Sequence, residues 1–91
     1  MTRDEIRSAV LAALQRVAPA IDAASLQSNV PIRDQVDLDS MDFLNFLLEL
    51  HASLGIDVPE SDYREVATVD GCISYFAGHA LHPRAVKPGD R

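Results

Sequence analysis

The stretch that decides the fold is VDLDSMDFLNFLLEL, residues 36–50, in which a polar segment passes directly into a long apolar run. Asp39 or Ser40 can act as the N-cap, since short side chains with an oxygen accept hydrogen bonds from the free N–H groups of a first helical turn. Gly55 is suited to end the helix. The sequence therefore predicts a helix from Ser40 to about Leu54, named the Ser40 helix below.

Apolar side chains cover well over half the circumference of the Ser40 helix, whereas a surface helix needs an apolar stripe of only about 100°. They are Met41, Phe43, Leu44, Phe46, Leu47, Leu48, Leu50 and Leu54. Met41, Leu44 and Leu48 are expected to remain exposed after the core is filled, which is typical of a docking surface. The alternative is that a small bundle wraps this helix on most sides.

The N-terminal segment predicts a second long helix. Thr2 and Glu5 have the T-x-x-E spacing of a capping box, and an apolar stripe follows over residues 3–17. Pro19 then ends this helix.

The C-terminal half predicts two further helices. Pro59, followed by acidic residues, suits the start of a short helix over residues 60–66. Thr68 can cap a last helix with an apolar stripe from residue 69 to about 77, which is expected to fray at Gly78.

Residues 18–39 form a long connection rich in Pro, Ser, Asn and Asp. A structureless loop of this length is uncommon in a small domain. We expect its four spaced apolar side chains to pin it against the helices: Leu26, Ile32, Val36 and Leu38.

These elements predict an all-α fold, a four-helix bundle with three principal helices, one short third helix and a long first loop. The domain is expected to span residues 1–80, and residues 81–91 to form a disordered tail. A chain of 91 residues suffices for one small domain. Its single cysteine, Cys72, excludes an internal disulfide and lies on the apolar stripe of the last helix, where a buried structural role is expected.

The hydropathy of the sequence limits where the protein is expected to be located. No apolar run reaches the length of about 20 residues that spans a membrane, and the charged N-terminus does not resemble a signal peptide. We expect a soluble, cytoplasmic monomer that does not bind membranes.

The net charge is −6, and residues 34–70 contain ten acidic residues and only one basic residue, Arg64. This argues against nucleic acid and favours partners with basic surfaces, unless the acidic residues serve only solubility.

Catalysis by Ser40 is not expected, because a nucleophilic serine needs a base within hydrogen-bond reach. His51 lies 11 residues along the same helix, about 16 Å away at 1.5 Å per residue. His79 and His82 lie at the end of the last helix and in the tail, and the chain lacks a G-x-S-x-G motif. The chain is therefore not expected to be an enzyme.

A metal site is not expected either. A calcium-binding EF-hand loop starting at Asp37 would need an oxygen ligand at position 41, Gly at 42 and Glu at 48. The sequence has Met41, Asp42 and Leu48 instead.

Ser40 is better placed as an acceptor of a phosphate group, which the free N–H groups and positive dipole of a helix N-terminus stabilise. The nearby Asp37, Asp39 and Asp42 could guide a basic modifying enzyme or share a Mg²⁺ ion bound in that enzyme. The alternative is that Ser40 is only an N-cap.

The run DSMDFLNFLLELHASLGIDVP, residues 39–59, resembles the centre of an acyl carrier protein, with its Asp-Ser-Met start, apolar helix and Gly-Ile-x-Val-Pro turn. IRDQVDLDS (32–40) and TVDGCISYF (68–76) resemble the flanking segments, and the likeness extends from about Asp4 to Ala77. The resemblance implies an acyl-carrier fold in which Ser40 receives 4′-phosphopantetheine from coenzyme A through a Mg²⁺-dependent phosphopantetheinyl transferase.

The resemblance further implies a carrier that holds acyl groups as thioesters on the arm. Its partners would be the transferase, an acyl-loading ligase or acyltransferase, and a synthase or other acyl-processing enzymes. The residues that match the family's contacting face are Asp39, Met41, Asp42, Leu44, Asn45 and Leu48.

At two positions of the Ser40 helix the sequence differs from the pattern of fatty-acid carriers, and this difference indicates which kind of carrier to expect. Fatty-acid carriers usually have glutamates at the positions of Asn45 and Ala52, so this helix should have a less acidic and more apolar exposed face. We therefore expect a specialised stand-alone carrier of a dedicated pathway. The alternatives are an aminoacyl or peptidyl carrier of a nonribosomal pathway, and an unmodified helical interaction module.

Overall fold

The computed structural model describes residues 1–81, and within that range the chain is helical without a β-strand. In chain order, the elements are α1 (Arg3–Val17), a short 3-10 turn (Ala23–Ser25), α2 (Ile32–Gln35), α3 (Ser40–Leu54), a 3-10 helix (Glu60–Val66) and α4 (Val69–Leu81). Helix α1 packs against both α3 and α4, and the 3-10 helix packs against α4. The predicted all-α bundle is confirmed, and α3 is the predicted Ser40 helix.

Helix α1 begins with the predicted capping box. The Glu5 backbone N–H donates to Thr2 Oγ1 at 3.1 Å, and the Thr2 backbone N–H donates to Glu5 Oε1 at 2.6 Å. This hydrogen bond from the Thr2 backbone lowers the pKa of the Glu5 carboxyl. At the other end, Arg16 Nη1 lies 2.7 Å from Glu49 Oε1 and joins α1 to α3.

The core lies where α1, α3, α4 and the loop before α3 meet, and it consists of apolar side chains. Those with no exposed surface are Ile6, Val10, Leu14, Ile32, Phe46, Leu50, Val66, Cys72 and Phe76. The described residues include no buried polar or charged side chain. The apolar stripes predicted from periodicity therefore face one another, so burial of these stripes is what holds the bundle together.

The long first loop is more ordered than predicted, because it contains α2 and the 3-10 turn. Backbone hydrogen bonds attach it to the residues around the start of α4: Ile32 donates to the Ala67 carbonyl at 2.8 Å, and Asp70 donates to the Ser28 carbonyl at 2.9 Å. The burial of Ile32 and Leu38 confirms that apolar side chains pin the loop. This anchoring positions the residues immediately before α3.

The predicted short helix over residues 60–66 is present and has the 3-10 form. Helix α4 does not end near Gly78 but continues to Leu81, since a single glycine weakens a helix without breaking it. Of the tail predicted over residues 81–91, only Leu81 is described, as the last residue of α4, and the others lie outside the described residues.

Candidate functional site

The start of α3 is capped by two aspartates. Asp39 Oδ1 accepts the Asp42 backbone N–H at 2.8 Å, and Asp42 Oδ2 accepts the Asp39 backbone N–H at 3.3 Å. Ser40 is therefore the first residue within the helix and not its N-cap, which decides between the two predicted caps. The capping bonds do not use the Ser40 hydroxyl, and Ser40 is exposed.

The electrostatic setting of Ser40 combines two opposite influences. The backbone N–H groups of the first turn and the dipole of a 15-residue helix create positive potential at this end. Asp37 and Asp39 are exposed nearby, and Asp42 is half-buried. An anion attached to Ser40 would be stabilised along the helix axis and repelled on the side of the carboxylates.

The positively charged side chain of Arg33 contacts residues at the start of the same helix. Arg33 Nε donates to the Leu38 carbonyl at 3.1 Å, and its guanidinium carbon lies 6.0 Å from the centroid of the Phe43 ring. The Phe43 and Tyr63 rings meet edge to face, with centroids 6.0 Å apart. Sequence reasoning missed this arrangement, because Arg33 and Tyr63 belong to segments that only the fold brings together.

These groups line a cleft of about 300 Å³ between the start of α3 and the 3-10 helix. Its lining residues are Pro31, Arg33, Phe43, Tyr63, Arg64 and Ala67. The cleft is apolar and aromatic inside, with two guanidinium groups among its walls.

The predicted apolar strip of Met41, Leu44 and Leu48 is exposed on α3. The exposed fractions are 64% for Met41, 40% for Leu44 and 56% for Leu48. Among the described residues, the only other large hydrophobic side chain with comparable exposure is Met1. The alternative in which the bundle covers this face is wrong, and the strip begins beside Ser40 and continues along the helix.

The other recognition residues predicted from the family pattern lie on the same helix end. Asn45 is exposed between Leu44 and Leu48 on the outer part of α3, whereas Asp39 and Asp42 are engaged in the cap. The predicted set thus lies on the same helix as Ser40, with Met41, Leu44, Asn45 and Leu48 exposed and the two aspartates at its capped start.

The histidines have other neighbours. His51 Nδ1 lies 3.0 Å from Asp57 Oδ1 near the C-terminal end of α3. His79 Nδ1 lies 2.8 Å from the Tyr75 carbonyl, and its ring stacks on the Tyr75 ring at 4.1 Å between centroids. His82 lies outside the described residues.

Cys72 is buried, as predicted, and its Sγ donates to the Val66 carbonyl at 3.4 Å. Burial raises the pKa of the Cys72 thiol to about 12. Because the thiolate is the nucleophilic form, this side chain is unsuited to form a thioester at neutral pH.

Within residues 1–81, no group of three or more His, Cys, Asp or Glu side chains lies close enough together to hold a metal ion. None of the helices in that range combines the length and apolar composition needed to cross a bilayer.

Comparison with known protein families gives a match over residues 8–76 to the family described as the phosphopantetheine attachment site. Curated relatives include the acyl carrier protein of Lactobacillus acidophilus, 29% identical over 59 residues, which are 65% of this chain and 74% of that protein. The acyl carrier protein of Rubrobacter xylanophilus is 21% identical over 76 residues, or 80% of this chain and 94% of that protein.

Among solved structures, the acyl carrier protein from Enterococcus faecalis matches with a TM-score of 0.67 and 24% identity. The match covers 86% of this chain and 98% of that chain. At this identity the likeness establishes a shared fold.

Proposed function

This chain belongs to the phosphopantetheine attachment-site family, the family of acyl carrier proteins, and from that membership we propose that Ser40 carries its 4′-phosphopantetheine arm. The attached group supplies a terminal thiol that holds an acyl chain as a thioester. The observation that carries the proposal is that Asp39 and Asp42 cap α3, which leaves the Ser40 hydroxyl exposed and unused.

The position of Ser40 suits the covalent step. The Ser40 oxygen would bond to the phosphorus next to the pantetheine of coenzyme A, while the pyrophosphate bond breaks and adenosine 3′,5′-bisphosphate leaves. The serine proton passes to a base on the transferase. The resulting phosphodiester anion would lie at the positive end of α3, where free N–H groups and the helix dipole stabilise negative charge.

This chain would present acyl groups rather than transform them. The distance from Ser40 to His51, about 16 Å along the helix, places no imidazole of α3 near the serine. The Cys72 thiol is buried with a raised pKa, so the arm is the more suitable source of a reactive thiol. Members of the family are in general non-catalytic and depend on acyl-processing enzymes.

The exposed strip of Met41, Leu44 and Leu48, together with Asn45, is proposed to contact the transferase and the loading and acyl-processing enzymes. An apolar patch at this exposure on a small protein is typical of an interaction surface. Because the strip begins next to Ser40, a partner bound to it would have the arm at its edge.

We further propose that the carrier serves a dedicated fatty-acid or polyketide pathway of secondary metabolism. Two carboxylates of α3 are already engaged: Glu49 with Arg16, and Asp42 with the Asp39 backbone. Asn45 and Ala52 are exposed and uncharged. A partner enzyme would therefore contact an apolar face with few available charges. When several charges at the edge of an interface are absent together, the choice of partner changes.

Intact-mass spectrometry tests the attachment. The protein is incubated with coenzyme A, Mg²⁺ and a broad-specificity phosphopantetheinyl transferase, and one added phosphopantetheine located on Ser40 is expected. Ser40 remaining bare with several competent transferases would favour the unmodified interaction module.

The pathway is tested separately with the holo-protein. Elongation by a housekeeping ketoacyl synthase at the rate of the housekeeping carrier would contradict the dedicated role. Loading by amino-acid ligases in preference to acyl ligases would favour the aminoacyl or peptidyl carrier.

A further inference from the structure

We propose that a groove in the first loop binds a lysine or arginine side chain of the phosphopantetheinyl transferase while that enzyme modifies Ser40. The groove has a volume of about 490 Å³ and is lined by residues 18–22, by Ser25 and Leu26, and by residues 35–37. It is called the loop groove below. This inference rests on the proposed attachment at Ser40 and adds a contact outside the exposed strip of α3.

The loop groove combines apolar walls with carboxylates. Ile21, Leu26 and Val36 are half-buried, and the only charged residues of the lining are Asp22 and Asp37, both exposed. Neither aspartate pairs with a basic side chain of the described residues. A lysine or arginine side chain matches this lining, because its aliphatic stem packs on apolar surface while its charged head is attracted to the carboxylates.

Hydrogen bonds within the first loop hold the walls of the loop groove in place. The Gln35 side-chain amide accepts the Gln27 backbone N–H at 2.7 Å and donates to the Gln27 and Val30 carbonyls at 2.8 and 2.9 Å. Asp22 Oδ1 accepts the Ala24 backbone N–H at 3.1 Å. Because these walls are already ordered, binding of a side chain does not include the cost of ordering the loop.

Asp37 places the loop groove close to the serine. It is three residues before Ser40, and successive Cα atoms are about 3.8 Å apart across trans peptide bonds, so the two Cα atoms lie within about 11 Å of each other. A protein that encloses Ser40 therefore also lies near the groove. The transferase must enclose it, because the new bond is made to the Ser40 oxygen, whereas acyl-processing enzymes act on the thiol at the far end of the arm.

The chemistry of coenzyme A explains why the transferase offers a basic side chain there. Coenzyme A carries a pyrophosphate and a 3′-phosphate, groups that arginine and lysine side chains bind in proteins. A transferase site that faces Ser40 is therefore bordered by such side chains. Asp22 and Asp37 attract them, whereas the same carboxylates repel the phosphodiester of the arm and a second copy of this chain, whose net charge is −6.

Steady-state kinetics of attachment test the contact, with the unmodified full-length protein as the varied substrate of a broad-specificity transferase. Asp37→Asn should raise the KM for this protein about tenfold and leave kcat within about twofold, because the contact contributes to binding and not to bond formation. Asp34→Asn is the matched control, since it removes an exposed carboxylate of α2 outside the loop groove, and it should change KM by less than about twofold.

Ala20→Trp tests the groove itself rather than its charge. Ala20 is an exposed residue of the lining, and an indole at this position fills part of the volume. This variant should also raise KM about tenfold, and Asp37→Asn should add little in its background, because both changes remove the same contact. Urea denaturation establishes that each variant is folded, and the comparison of Asp37→Asn with Asp34→Asn decides the question if Ala20→Trp is not.

The outcomes distinguish this inference from the attachment itself. An unchanged KM in Asp37→Asn would show that the transferase does not use the loop groove. The inference is also wrong if Asp34→Asn raises KM as much as Asp37→Asn, or if the effects of Asp37→Asn and folded Ala20→Trp are fully additive. A wild-type protein that receives no arm on Ser40 would instead refute the proposed function.

Discussion

Asp39 and Asp42 cap each other's backbone N–H groups at the start of α3, at 2.8 and 3.3 Å, and Ser40 lies between them with its hydroxyl unused. The capping residues and the proposed acceptor, Ser40, are thus separate residues. This separation has a direct consequence, because changes in helix stability and changes in attachment can be produced independently by neighbouring substitutions.

Ser40→Ala is expected to abolish attachment of the arm without destabilising the protein. Ser40 is exposed and outside the capping bonds, so its free energy of unfolding should change by no more than about 0.5 kcal/mol. Intact mass after transferase treatment and urea denaturation measure the two effects. Ser53→Ala removes another exposed serine of α3 and should accept the arm normally; loss of the arm in that variant would point to a second site.

Asp39→Ala, unlike Ser40→Ala, should destabilise the protein. Loss of an N-cap carboxylate costs about 1 kcal/mol, within a range of roughly 0.5–2 kcal/mol. Urea denaturation should show a lower midpoint with an unchanged slope. Asp39→Asn retains a capping oxygen and should recover most of the loss, so equal destabilisation by Ala and Asn would contradict the capping role.

The raised pKa of the Cys72 thiol predicts that the protein loses stability at alkaline pH. Below pH 9 the thiol is protonated in both the folded and the unfolded protein and contributes no pH dependence. Above pH 9, its ordinary value, the unfolded thiol ionises while the folded thiol, with a pKa of about 12, does not. The free energy of unfolding should therefore fall as pH rises from 9 to 12, by up to about 1.4 kcal/mol per pH unit from this group.

Urea denaturation between pH 8 and pH 10.5 measures this slope, with Cys72→Ala as the comparison. The variant loses a constant amount of stability from the truncated core side chain, but its slope above pH 9 should be shallower. Tyr75 contributes to the slope in both proteins, because burial and its hydrogen bond to Asp62 raise the pKa of the phenol. Identical slopes in wild type and Cys72→Ala would show that the thiol is not the ionising group.

Gly55 and Gly78 should respond to alanine in opposite directions. Gly55 ends α3 with φ at +72°, a left-handed conformation that costs an L-residue about 1–2 kcal/mol, so Gly55→Ala should destabilise the protein. Gly78 lies within α4, where an added Cβ has no atom within 4 Å, so Gly78→Ala should stabilise it by about 0.5–1 kcal/mol. Thermal unfolding of the two variants beside wild type measures both shifts, and a common direction would contradict the assigned backbone roles.

Leu48→Glu should weaken recognition by partner enzymes and leave the fold intact. Leu48 is 56% exposed at the end of the apolar strip farthest from Ser40, so a charge there is solvated in the free protein but buried in a complex. A loss of about tenfold in kcat/KM is expected for transferase or acyl-loading enzymes, equivalent to about 1.4 kcal/mol. Ser53→Glu adds a negative charge to an exposed residue of the same helix outside the strip and serves as the matched control; equal losses in both variants would reduce the effect to net charge.

Sequence patterns predicted the elements whose formation depends on near neighbours. The capping box of Thr2 and Glu5, the apolar stripe of α1 and the bounds of α3 involve residues within one or two helical turns. The exposed strip of α3 was predictable for a related reason: its apolar circumference exceeds what one core-facing side can bury.

Other features could not be read from the sequence, because they depend on segments distant in the chain. Ile32 is bonded to Ala67 and Asp70 to Ser28, and these bonds give order to a loop that has no periodicity of its own. The 3-10 form of residues 60–66 likewise arises in a segment packed against α4.

By itself, the sequence determined the helices, the capping box of α1 and a serine at the start of a strongly apolar helix, since hydrogen bonds and periodicity within one segment suffice for these. Only the tertiary structure decided that Asp39 rather than Ser40 caps α3, and that Arg33, Phe43 and Tyr63 line one cleft. The physical reason is that a cap is chosen by the backbone angle at which the chain enters the helix, whereas the cleft is formed by the packing of three segments that are separated along the chain.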